Sequence, residues 1–344
     1  MRILIAGGAG FIGSHFVRHM LAEHPSDHVT VVDKLTYAGN LSNLKDACSN
    51  PRFHFVRFDI CDPEVNDLVR GADVVLNLAA ESHVDRSIED ASVFVSSNVV
   101  GTFRLLDACR RQGIGRFIQV STDEVYGSLG PEGKFDENSP VSPNSPYAAT
   151  KAAADLLVLA AIRTHTVPAI ITRSSNNYGP FQFPEKFIPL MIAQAMVGEP
   201  LPIYGDGRNI RDWLHVEDHC RALDAVVHRG REGEIYNIGG EFEIENLKVA
   251  WRILELLDRP RTLVQFVSDR PGHDRRYAMN CDKIKSELGW RQQWTFETGL
   301  PDTIRWYREN QDWLDEMRSG AYREYFARHY EDRERTLGRA QPVS

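Results

Sequence analysis

Short continuous runs of hydrophobic and β-branched residues recur along the first half of the chain, and stretches with helical spacing separate them. Such runs are typical of parallel strands covered by helices on both faces, because these strands are buried on both sides. Helical spacing predicts helices at Gly10–Glu23, Val93–Arg111 and Tyr147–Thr164. We therefore expect an α/β fold built on a doubly wound parallel sheet. The predicted strands are Arg2–Ala6, Val29–Asp33, Phe53–Phe58, Val74–Ala79, Phe117–Ser121 and Ala169–Arg173.

This alternation is lost after about Arg173, where proline and glycine become frequent. We expect a first domain over residues 1–173, to which part of the later chain returns, and a smaller, irregular substrate-binding lobe over residues 174–320. Residues 321–344 are predicted to form a charged, weakly packed tail. In the later half the pattern predicts strands at Leu201–Tyr204 and Glu234–Ile238 and helices near Glu217–Val227, Asn246–Leu257 and Asp282–Leu288.

The composition is that of an ordinary globular protein: 344 residues, 42% of them hydrophobic and 26% charged, with a formal net charge of -8. An acidic chain without a basic stretch is a poor candidate for nucleic-acid binding, since phosphate neutralisation needs clustered lysine and arginine. The later apolar runs fall short of the roughly 20 residues that a membrane span needs. We expect neither a nucleic acid nor a membrane as partner.

The five cysteines are odd in number and include no C-x-x-C pair. This argues against a disulfide framework and a zinc ribbon, and it favours a cytoplasmic location. Two histidine pairs, His15 with His19 and His215 with His219, have the i, i+4 spacing of metal ligands. In the second pair the glutamate stands third rather than second, unlike the H-E-x-x-H pattern, and no third ligand is evident. We predict no metal site.

A glycine-rich loop joins the first strand to the first helix, with Gly7, Gly10 and Gly13 spaced G-x-x-G-x-x-G. A dinucleotide site needs such a loop, because its pyrophosphate approaches the backbone closely and meets a helix N-terminus. Asp33 ends the second strand, where an acidic side chain binds the adenosine ribose hydroxyls. Its charge favours NAD over NADP, and the adjacent Lys34 weakens that preference. The alternative is a turn that serves packing only, but the context favours a Rossmann-like NAD domain.

A tyrosine and a lysine stand four residues apart at Tyr147 and Lys151, after Pro143 and Pro146. A helix that begins near Tyr147 places both side chains on one face. A nearby ammonium and a positive nicotinamide favour the phenolate, so Tyr147 is expected to act as a base near neutral pH. The alternative is a surface pair, which is common by chance.

Thr122, Asp123 and Glu124 follow the fifth strand. Residues at this end of a strand face the ligand crevice of a doubly wound sheet. Adjacent carboxylates tend to split their pKa values, which lets one donate a proton and the other accept one. The alternative is a pair of acidic residues that cap a loop or helix. Beside a Tyr/Lys oxidation site, the acid pair indicates oxidation coupled to loss of water.

From Met1 to about Trp290 the sequence resembles the extended short-chain dehydrogenases/reductases and, more closely, the dTDP-glucose 4,6-dehydratase family. The triplet TDE distinguishes this family from the similar sugar 4-epimerases. The strings that carry the resemblance are GGAGFIGSHFVRH, VVDKLTYAGNLSNL, LAAESHVDRSI, SNVVGT, STDEVYG, SPYAATKAAAD, SNNYGPFQFPEKFIPL, PIYGDGRNIRDWLHVEDHC, YNIGG and DRPGHDRRY.

The resemblance implies an NAD-dependent hydro-lyase that converts dTDP-glucose to dTDP-4-keto-6-deoxyglucose. Tyr147, beside Lys151, takes the proton of the 4-hydroxyl while a hydride passes to NAD+, and Thr122 hydrogen-bonds the developing carbonyl. Glu124 removes the proton of carbon 5, Asp123 protonates the departing 6-hydroxyl, and the hydride returns to carbon 6. NAD+ is thereby regenerated in each turnover.

The resemblance also implies the residues that line each site. Ser97 departs from the threonine expected there but keeps the hydroxyl. Besides the glycines, Tyr147 and Lys151, the NAD site should include Phe11, Ile12, Asp33, Lys34, Leu35, Thr36, Asp59, Ile60, Leu78, Ala79, Ala80, Glu81, Ser82, Ser97 and Asn177. The nucleotide-sugar should contact Ser82, Thr122, Asn176, Lys186, Phe187, Pro202, Ile203, Tyr204, Arg211, Asn246, Asp269, Arg270 and His273.

Three alternatives stay open at this point: a dehydratase for another nucleotide-sugar, a 4-epimerase, and a catalytically silent NAD-sensing protein. The resemblance further implies a homodimer joined by a four-helix bundle, to which each subunit gives the helices Val93–Arg111 and Tyr147–Thr164. Its product would enter deoxysugar biosynthesis, either of cell-surface rhamnose or of glycosylated natural products.

Overall fold

The computed structural model describes residues 1–318, and the predicted tail lies outside this range. Its strands are β1 (Arg2–Ala6), β2 (His28–Asp33), β3 (Phe53–Arg57), β4 (Val74–Asn77), β5 (Arg116–Thr122), β6 (Ala169–Ser174), β7 (Asn176–Tyr178), β8 (Leu201–Tyr204), β9 (Ile210–His215), β10 (Ile235–Ile238), β11 (Glu243–Glu245) and β12 (Val264–Val267). Its α-helices are α1 (Phe11–Glu23), α2 (Val65–Leu68), α3 (Val84–Glu89), α4 (Ser92–Phe94), α5 (Thr102–Gln112), α6 (Pro146–His165), α7 (Phe187–Val197), α8 (Val216–Arg229), α9 (Asn246–Leu256), α10 (Asp282–Leu288), α11 (Phe296–Glu309) and α12 (Gln311–Met317). Among these helices none is both long and apolar enough to cross a membrane.

Seven parallel strands form the main sheet in the order β10-β6-β5-β4-β1-β2-β3. The order reverses between β1 and β4, which opens a crevice at the carboxyl ends of these strands, where ligands bind in doubly wound folds. All six strands predicted for the first half are present, and the doubly wound α/β fold is confirmed.

Alternate residues of the strands feed cores on opposite faces of this sheet, as the two-residue period of a strand requires. Ile3 and Ile5 pack with α1, α8 and α10 on one face, whereas Leu4 packs with α5 and α6 on the other. The later chain therefore supplies a strand, β10, and two helices to the first core. The division into domains at residue 173 stays a prediction.

The rest of the later chain builds a second core. Two small sheets, β11-β9-β7 and β12-β8, pack with α7, α9, α11 and α12 around buried side chains such as Met191, Ile253 and Tyr307. The sequence pattern did not predict β7, β9, β11, β12, α7, α11 or α12. The three short strands among them, three or four residues each, carry too little periodicity to be recognised.

The helical stretch predicted at Val93–Arg111 contains a π-helical segment, Val95–Gly101, between α4 and α5. π-helical turns widen a helix by one residue and occur frequently at functional sites. Here the segment carries Ser97, whose hydroxyl accepts a hydrogen bond from Lys34, and Asn98, whose amide donates to Thr150 of α6. It thereby links the NAD crevice to the helix that carries Tyr147.

Candidate active site

A cavity of about 290 Å³ lies at the crevice between β1 and β4 and extends along the end of β5. It brings together almost every residue that the sequence predicts for NAD and all five predicted catalytic residues. Leu35 alone among the predicted NAD residues does not line it. The predicted residues in its lining are Gly7, Gly10, Phe11, Ile12, Gly13, Asp33, Lys34, Thr36, Asp59, Ile60, Leu78, Ala79, Ala80, Glu81, Ser82, Ser97, Thr122, Asp123, Glu124, Tyr147, Lys151, Asn176, Asn177 and Lys186.

The glycine loop is shaped for close approach of a ligand to the backbone. Gly7 has φ +79°, and a Cβ there would lie 2.6 Å from the Ala79 nitrogen. A Cβ on Gly13 would lie 2.3 Å from the Gly7 oxygen, so α1 can begin this close to the loop only with glycine there. Gly10 precedes α1 without a side-chain cap, which leaves the first N–H groups of the helix for an anion. The loop therefore fits a pyrophosphate.

Asp33 stands at the end of β2, at one end of the cavity. Its carboxylate accepts hydrogen bonds from the backbone N–H groups of Ala9 (3.0 Å) and Leu35 (2.8 Å), and burial raises its pKa. Leu35 thus supports Asp33 through its backbone. Lys34 donates to Ser97 Oγ (3.0 Å) and lies 3.5 Å from Asp59, so its charge is largely compensated. These contacts fit a ribose with free hydroxyls better than one with a 2′-phosphate.

Tyr147 is the second residue of α6, which Ser145 caps with its side chain. Burial, followed by the negative charge of Glu124, raises the pKa of Tyr147, while a hydrogen bond with Thr122 lowers it. In the protein alone, removal of the phenol from water therefore has the largest effect on this pKa. The expected phenolate near neutral pH depends also on the positive charge of a nicotinamide, so it stays a prediction.

Lys151 lies one turn further along α6, and its Nζ donates to the backbone oxygen of Val120 at 2.6 Å. Burial lowers the pKa of Lys151 to about 8, while the negative charge of Asp155 raises it. The ammonium is therefore the main form at neutral pH, and the hydrogen bond to β5 fixes its position in the cavity.

Asp123 begins a short 3₁₀ helix after β5 and is 1% exposed. One carboxyl oxygen accepts from Thr122 Oγ1 at 3.2 Å, and the other has no hydrogen-bond partner among the described residues. Burial, followed by the charges of Glu124 and Asp212, raises the pKa of Asp123 well above its ordinary value. These surroundings favour the protonated form of Asp123, which suits a proton donor.

Glu124 is partly buried beside Asp123, and burial raises its pKa as well. Three cationic side chains, Arg270, Lys186 and Arg211, act in the opposite direction and favour its charged form. The two neighbouring carboxyl groups thus differ in their surroundings, which is how a site separates an acid from a base. Because they interact, they titrate as a pair.

A second cavity of about 140 Å³ adjoins the first and shares Ser82, Glu124, Asn176, Glu185 and Lys186 with it. Three predicted substrate residues do not line it: Thr122 lines the first cavity only, Ile203 is 1% exposed in the second core, and Asp269 instead accepts a hydrogen bond from the His273 ring. The remaining predicted substrate residues in its lining are Phe187, Pro202, Tyr204, Arg211, Asn246, Arg270 and His273.

The cations of this second cavity are held by backbone and ring contacts. Lys186 Nζ donates to the Ser82 oxygen at 2.5 Å, and the Arg211 guanidinium lies 4.5 Å from the centre of a tyrosine ring. Arg270 lies 3.9 Å from an oxygen of Asp85. Three positive side chains around one small cavity suit a diphosphate.

Several lining residues were not predicted, among them Gln182, Phe183, Glu185 and Asp85. Glu185 accepts from Arg86 at 3.0 Å, and Asp85 accepts from the Tyr204 hydroxyl at 2.9 Å. Their charges stand in segments without periodicity, and the partners are distant in sequence. Apart from their position inside the matching strings, nothing in the sequence indicates these roles.

The histidines with metal-ligand spacing have structural partners. His219 Nδ1 lies 2.9 Å from Asn177 Oδ1, and His15 Nε2 lies 2.9 Å from the Pro180 oxygen. Burial lowers the pKa of His215 and of His219 to about 3, so both rings are neutral. The ring of His219 thereby orients the amide of Asn177 at the edge of the NAD cavity.

A family model described as GDP-mannose 4,6 dehydratase matches residues 4–303 of the chain. A dTDP-glucose 4,6-dehydratase of Actinoplanes sp. is 53% identical over 319 residues, which cover 91% of this chain and 99% of the relative. Among solved structures, the dTDP-glucose 4,6-dehydratase DesIV of Streptomyces venezuelae, with NAD bound, has 50% identity and a TM-score of 0.90, and the match covers 92% of this chain and 100% of that one.

The same fold extends to a 4-epimerase. The UDP-glucuronic acid 4-epimerase of Bacillus cereus, solved with UDP-glucuronic acid and NAD, has 29% identity and a TM-score of 0.85, and the match covers 90% of this chain and 99% of that one. The fold alone therefore does not separate the two activities, whereas sequence identity does. With a family model that matches residues 4–303 and a relative that is 53% identical over nearly its whole length, the chain belongs to the dTDP-glucose 4,6-dehydratase family of extended short-chain dehydrogenases/reductases.

Proposed function

We propose that the chain converts dTDP-glucose to dTDP-4-keto-6-deoxyglucose and water. The observation that supports this most directly is the pair Asp123 and Glu124. Two neighbouring carboxyl groups with unequal surroundings lie at the end of β5, in the same cavity as Tyr147 and Lys151. A simple oxidation needs one base, whereas elimination of water needs a further acid and a further base.

NAD is the cofactor that the crevice fits. The glycine loop and the start of α1 bind its pyrophosphate, and Asp33 binds the adenosine ribose. When bound, NAD+ supplies an acceptor for the hydride of carbon 4, a store that returns this hydride to carbon 6, and a positive charge in the cleft. Asp33 and the compensated charge of Lys34 support NAD over NADP.

Tyr147 takes the proton of the 4-hydroxyl in the first step, and Thr122 donates a hydrogen bond to the oxygen that becomes the ketone. Lys151, fixed by its bond to Val120, stabilises the phenolate as it forms. Because the surrounding protein raises the pKa of Tyr147, this stabilisation acts together with the charge that the cofactor brings.

The 4-ketone acidifies the hydrogen on carbon 5, and Glu124 removes this proton. Asp123, whose protonated form burial favours, protonates the oxygen on carbon 6, which leaves as water. The carbon-oxygen bond breaks as a double bond forms between carbons 5 and 6. Hydride then adds to carbon 6, and Glu124 returns its proton to carbon 5, which gives the 4-keto-6-deoxy sugar.

The nucleotide diphosphate lies in the second cavity in this proposal. Lys186, Arg211 and Arg270 neutralise its charge, and the same three side chains favour the charged form of Glu124 against the effect of burial. Substrate binding therefore reduces the cationic field on Glu124, since the diphosphate competes for these cations. This raises the basicity of Glu124 once substrate is bound.

The decisive experiment compares dTDP-, UDP-, GDP- and CDP-glucose as substrates of the purified protein. We expect a 4-keto product that absorbs in alkali, formed fastest from dTDP-glucose. Faster turnover of another nucleotide-sugar would replace the substrate but keep the reaction. An epimerised sugar without a ketone would indicate a 4-epimerase, and NAD binding without turnover would indicate a silent sensor.

The proposal of a homodimer is based on a patch of exposed apolar side chains on one face of the first domain. Exposed apolar side chains cluster on α4, the π-helical segment, α5 and α6, including Val93, Val95, Val100, Phe103 and Leu156. Phe103 and Leu156 are 47% and 58% exposed, which is unusual for side chains of this size on adjacent helices. Two copies that pair these helices would bury the patch in a four-helix bundle.

A cytoplasmic location is part of the proposal. All five cysteines, which lie within the described residues, are free thiols, and three of them are buried. Such thiols persist in a reducing compartment. The product, a 4-keto-6-deoxy sugar nucleotide, would serve deoxysugar biosynthesis, either of rhamnose or of glycosylated natural products.

A further inference from the structure

A histidine cluster lies far from the active site, where α1 and α8 both end. One ring nitrogen of His24, one of His228 and a carboxylate oxygen of Asp27 lie within 4.8 Å of one another. Helix α1 has 13 residues, so the cluster is roughly 20 Å from the glycine loop at the other end of that helix. None of its members takes part in the proposed reaction.

A second carboxylate orients both rings from behind. Asp224 Oδ1 accepts from Nε2 of His24 at 3.0 Å, and its other carboxylate oxygen accepts from His19 at 2.9 Å. Nδ1 of His228 lies 2.7 Å from Asp224 Oδ1 and hydrogen-bonds the backbone oxygen of Asp224 at 3.0 Å. The opposite nitrogen of each ring faces away from Asp224 and is the one that we assign to a metal ion. A histidine that ligates a metal almost always donates its other N–H to a carboxylate or carbonyl in this way.

Asp27 supplies the third ligand atom. Its side chain is 6% exposed, and one oxygen accepts from the amino group of Met1 at 2.5 Å. The other oxygen is buried and has no hydrogen-bond partner among residues 1–318. A buried carboxylate oxygen without a partner is costly, and a cation would compensate it.

Two imidazoles and one carboxylate select the class of metal. Mg²⁺ and Ca²⁺ prefer oxygen ligands only, whereas Zn²⁺, Co²⁺, Ni²⁺ and Cu²⁺ bind imidazole well. The Met1 amino group and Arg52, which donates to the backbone oxygens of His24 and Asp27, lie nearby and oppose any cation. These two positive groups disfavour metal ions that bind mainly by electrostatic attraction. They therefore favour, by comparison, metal ions that bond strongly to imidazole.

The rings now stack at 4.3 Å between centroids, with 20° between their planes. Ligands on a tetrahedral zinc ion are only about 3.4 Å apart, given bonds of about 2.0–2.1 Å. Binding would therefore draw the side chains together and end the stacking. The exposed side of His228 leaves room for a water as fourth ligand.

We propose that His24, Asp27 and His228 form a binding site for a divalent transition-metal ion, with Zn²⁺ as the reference ion and Asp224 as the carboxylate that orients the two rings. The ion would tie the end of α1 and the turn after it to the end of α8. These helices cover the same face of the main sheet, so the expected effect is stabilisation rather than catalysis.

The test titrates Zn²⁺ into untagged, chelator-treated protein by calorimetry, and Co²⁺ by visible absorption. We expect one site, with at least tenfold weaker binding in His24→Ala and in His228→Ala. His165→Ala, at the exposed end of α6, is the matched control and should bind like the parent. Absence of binding, or equal binding by the parent and both site variants, would overturn the proposal.

A second variant keeps the ligands and removes only their support. Asp224→Asn should weaken Zn²⁺ binding by about 10- to 100-fold, as is usual for loss of an outer carboxylate. Zn²⁺ should raise the melting temperature of the parent but not of His228→Ala, while dehydration of dTDP-glucose stays independent of the ion. A Zn²⁺-dependent melting temperature that survives in His228→Ala would assign the effect to another site.

Discussion

Arg173 Nε lies 2.9 Å from Asp155 Oδ2 in an ion pair whose two side chains are 2% and 1% exposed. Asp155 follows Lys151 by one turn of α6, so the pair lies directly behind the catalytic ammonium. Burial lowers the pKa of Lys151 to about 8, and the charge of Asp155 opposes that change. The ion pair therefore helps to keep Lys151 protonated at neutral pH.

Asp155→Asn should move the alkaline limit of activity to lower pH. The reaction requires the ammonium, which is lost as pH rises through the pKa of Lys151, and removal of the negative charge lowers that pKa further. A pH profile of kcat checks this, with Asp107→Asn as control, because Asp107 forms a surface pair with Arg110. An unchanged alkaline limit in Asp155→Asn would contradict the role.

The same variant should be less stable by about 3 kcal/mol, because Arg173 is left as an unpaired buried charge. Urea unfolding of both variants at pH 7 measures the difference. Asp107→Asn should change the free energy of unfolding by less than about 1 kcal/mol, since exposed pairs contribute little.

Asp123→Asn with Glu124→Gln should stop the reaction after oxidation. The double variant keeps Tyr147 and Lys151, so the sugar is still oxidised, but no group remains to exchange protons at carbons 5 and 6. We expect formation of the 4-keto-6-deoxy product to fall at least about 100-fold, with reduced cofactor accumulating on the protein. Product formation at the parent rate would refute the assignment of these two residues.

The sequence predicted the first half well because its strands are buried on both faces and are rich in β-branched residues. The carboxyl ends of parallel strands lie at the same edge of a sheet. The ends of β2 and β5 therefore predicted that Asp33 and the pair Asp123 and Glu124 line one crevice. The strands β7, β9, β11 and β12 were missed because pairing with distant segments forms them, as when β9 joins β7 to β11. No local pattern records such pairing.

The active-site residues, too, could be predicted only where a local sequence motif contains them. Residues inside a motif, such as Gly13 and Lys151, were found because spacing alone places them. Glu185 lines both cavities only because the loop before α7 reaches the end of β4, which the sequence does not reveal. The burial that raises the pKa of Tyr147 was not predicted either, because burial depends on the packing of the whole domain.

The buried carboxyl group of Asp212 should make the free energy of unfolding fall as pH rises. Burial raises the pKa of this carboxyl to about 7 from an ordinary value near 3.8, so the folded state holds a proton that the unfolded state has released. Asp212→Asn should therefore gain stability over the parent progressively from about pH 4 to pH 7. Urea unfolding across this range measures the trend. Exposed Asp206, whose pKa is lowered to about 2, is the control, and Asp206→Asn should show a small loss at neutral pH.

Asp33 should decide between the two nicotinamide cofactors. Asp33→Asn keeps one oxygen for the backbone N–H groups but loses the charge that binds the ribose and repels a 2′-phosphate. We expect NAD to bind about tenfold more weakly or worse, with a smaller preference over NADP. Fluorescence titration with both reduced cofactors measures this. Asp46→Asn, at an exposed pair with Arg18, should behave like the parent.

Charged substitutions on the exposed apolar face of α5 and α6 should dissociate the proposed dimer into monomers. Phe103→Glu and Leu156→Glu place carboxylates in the proposed four-helix bundle, and burial of unpaired charges opposes assembly. Light scattering should report a dimer for the parent and a monomer for both variants. Phe266→Glu, at an equally exposed site on β12, is the control and should remain dimeric.

The position of β10 has a consequence for biosynthesis. This strand, Ile235–Ile238, completes the edge of the main sheet beside β6, and α8 covers one face beneath it. A nascent chain that has released only its first 200 residues therefore exposes an open strand edge and an uncovered apolar surface. Such surfaces invite aggregation. The main sheet and the core on this face can therefore be completed only after α8 and β10 have been synthesised.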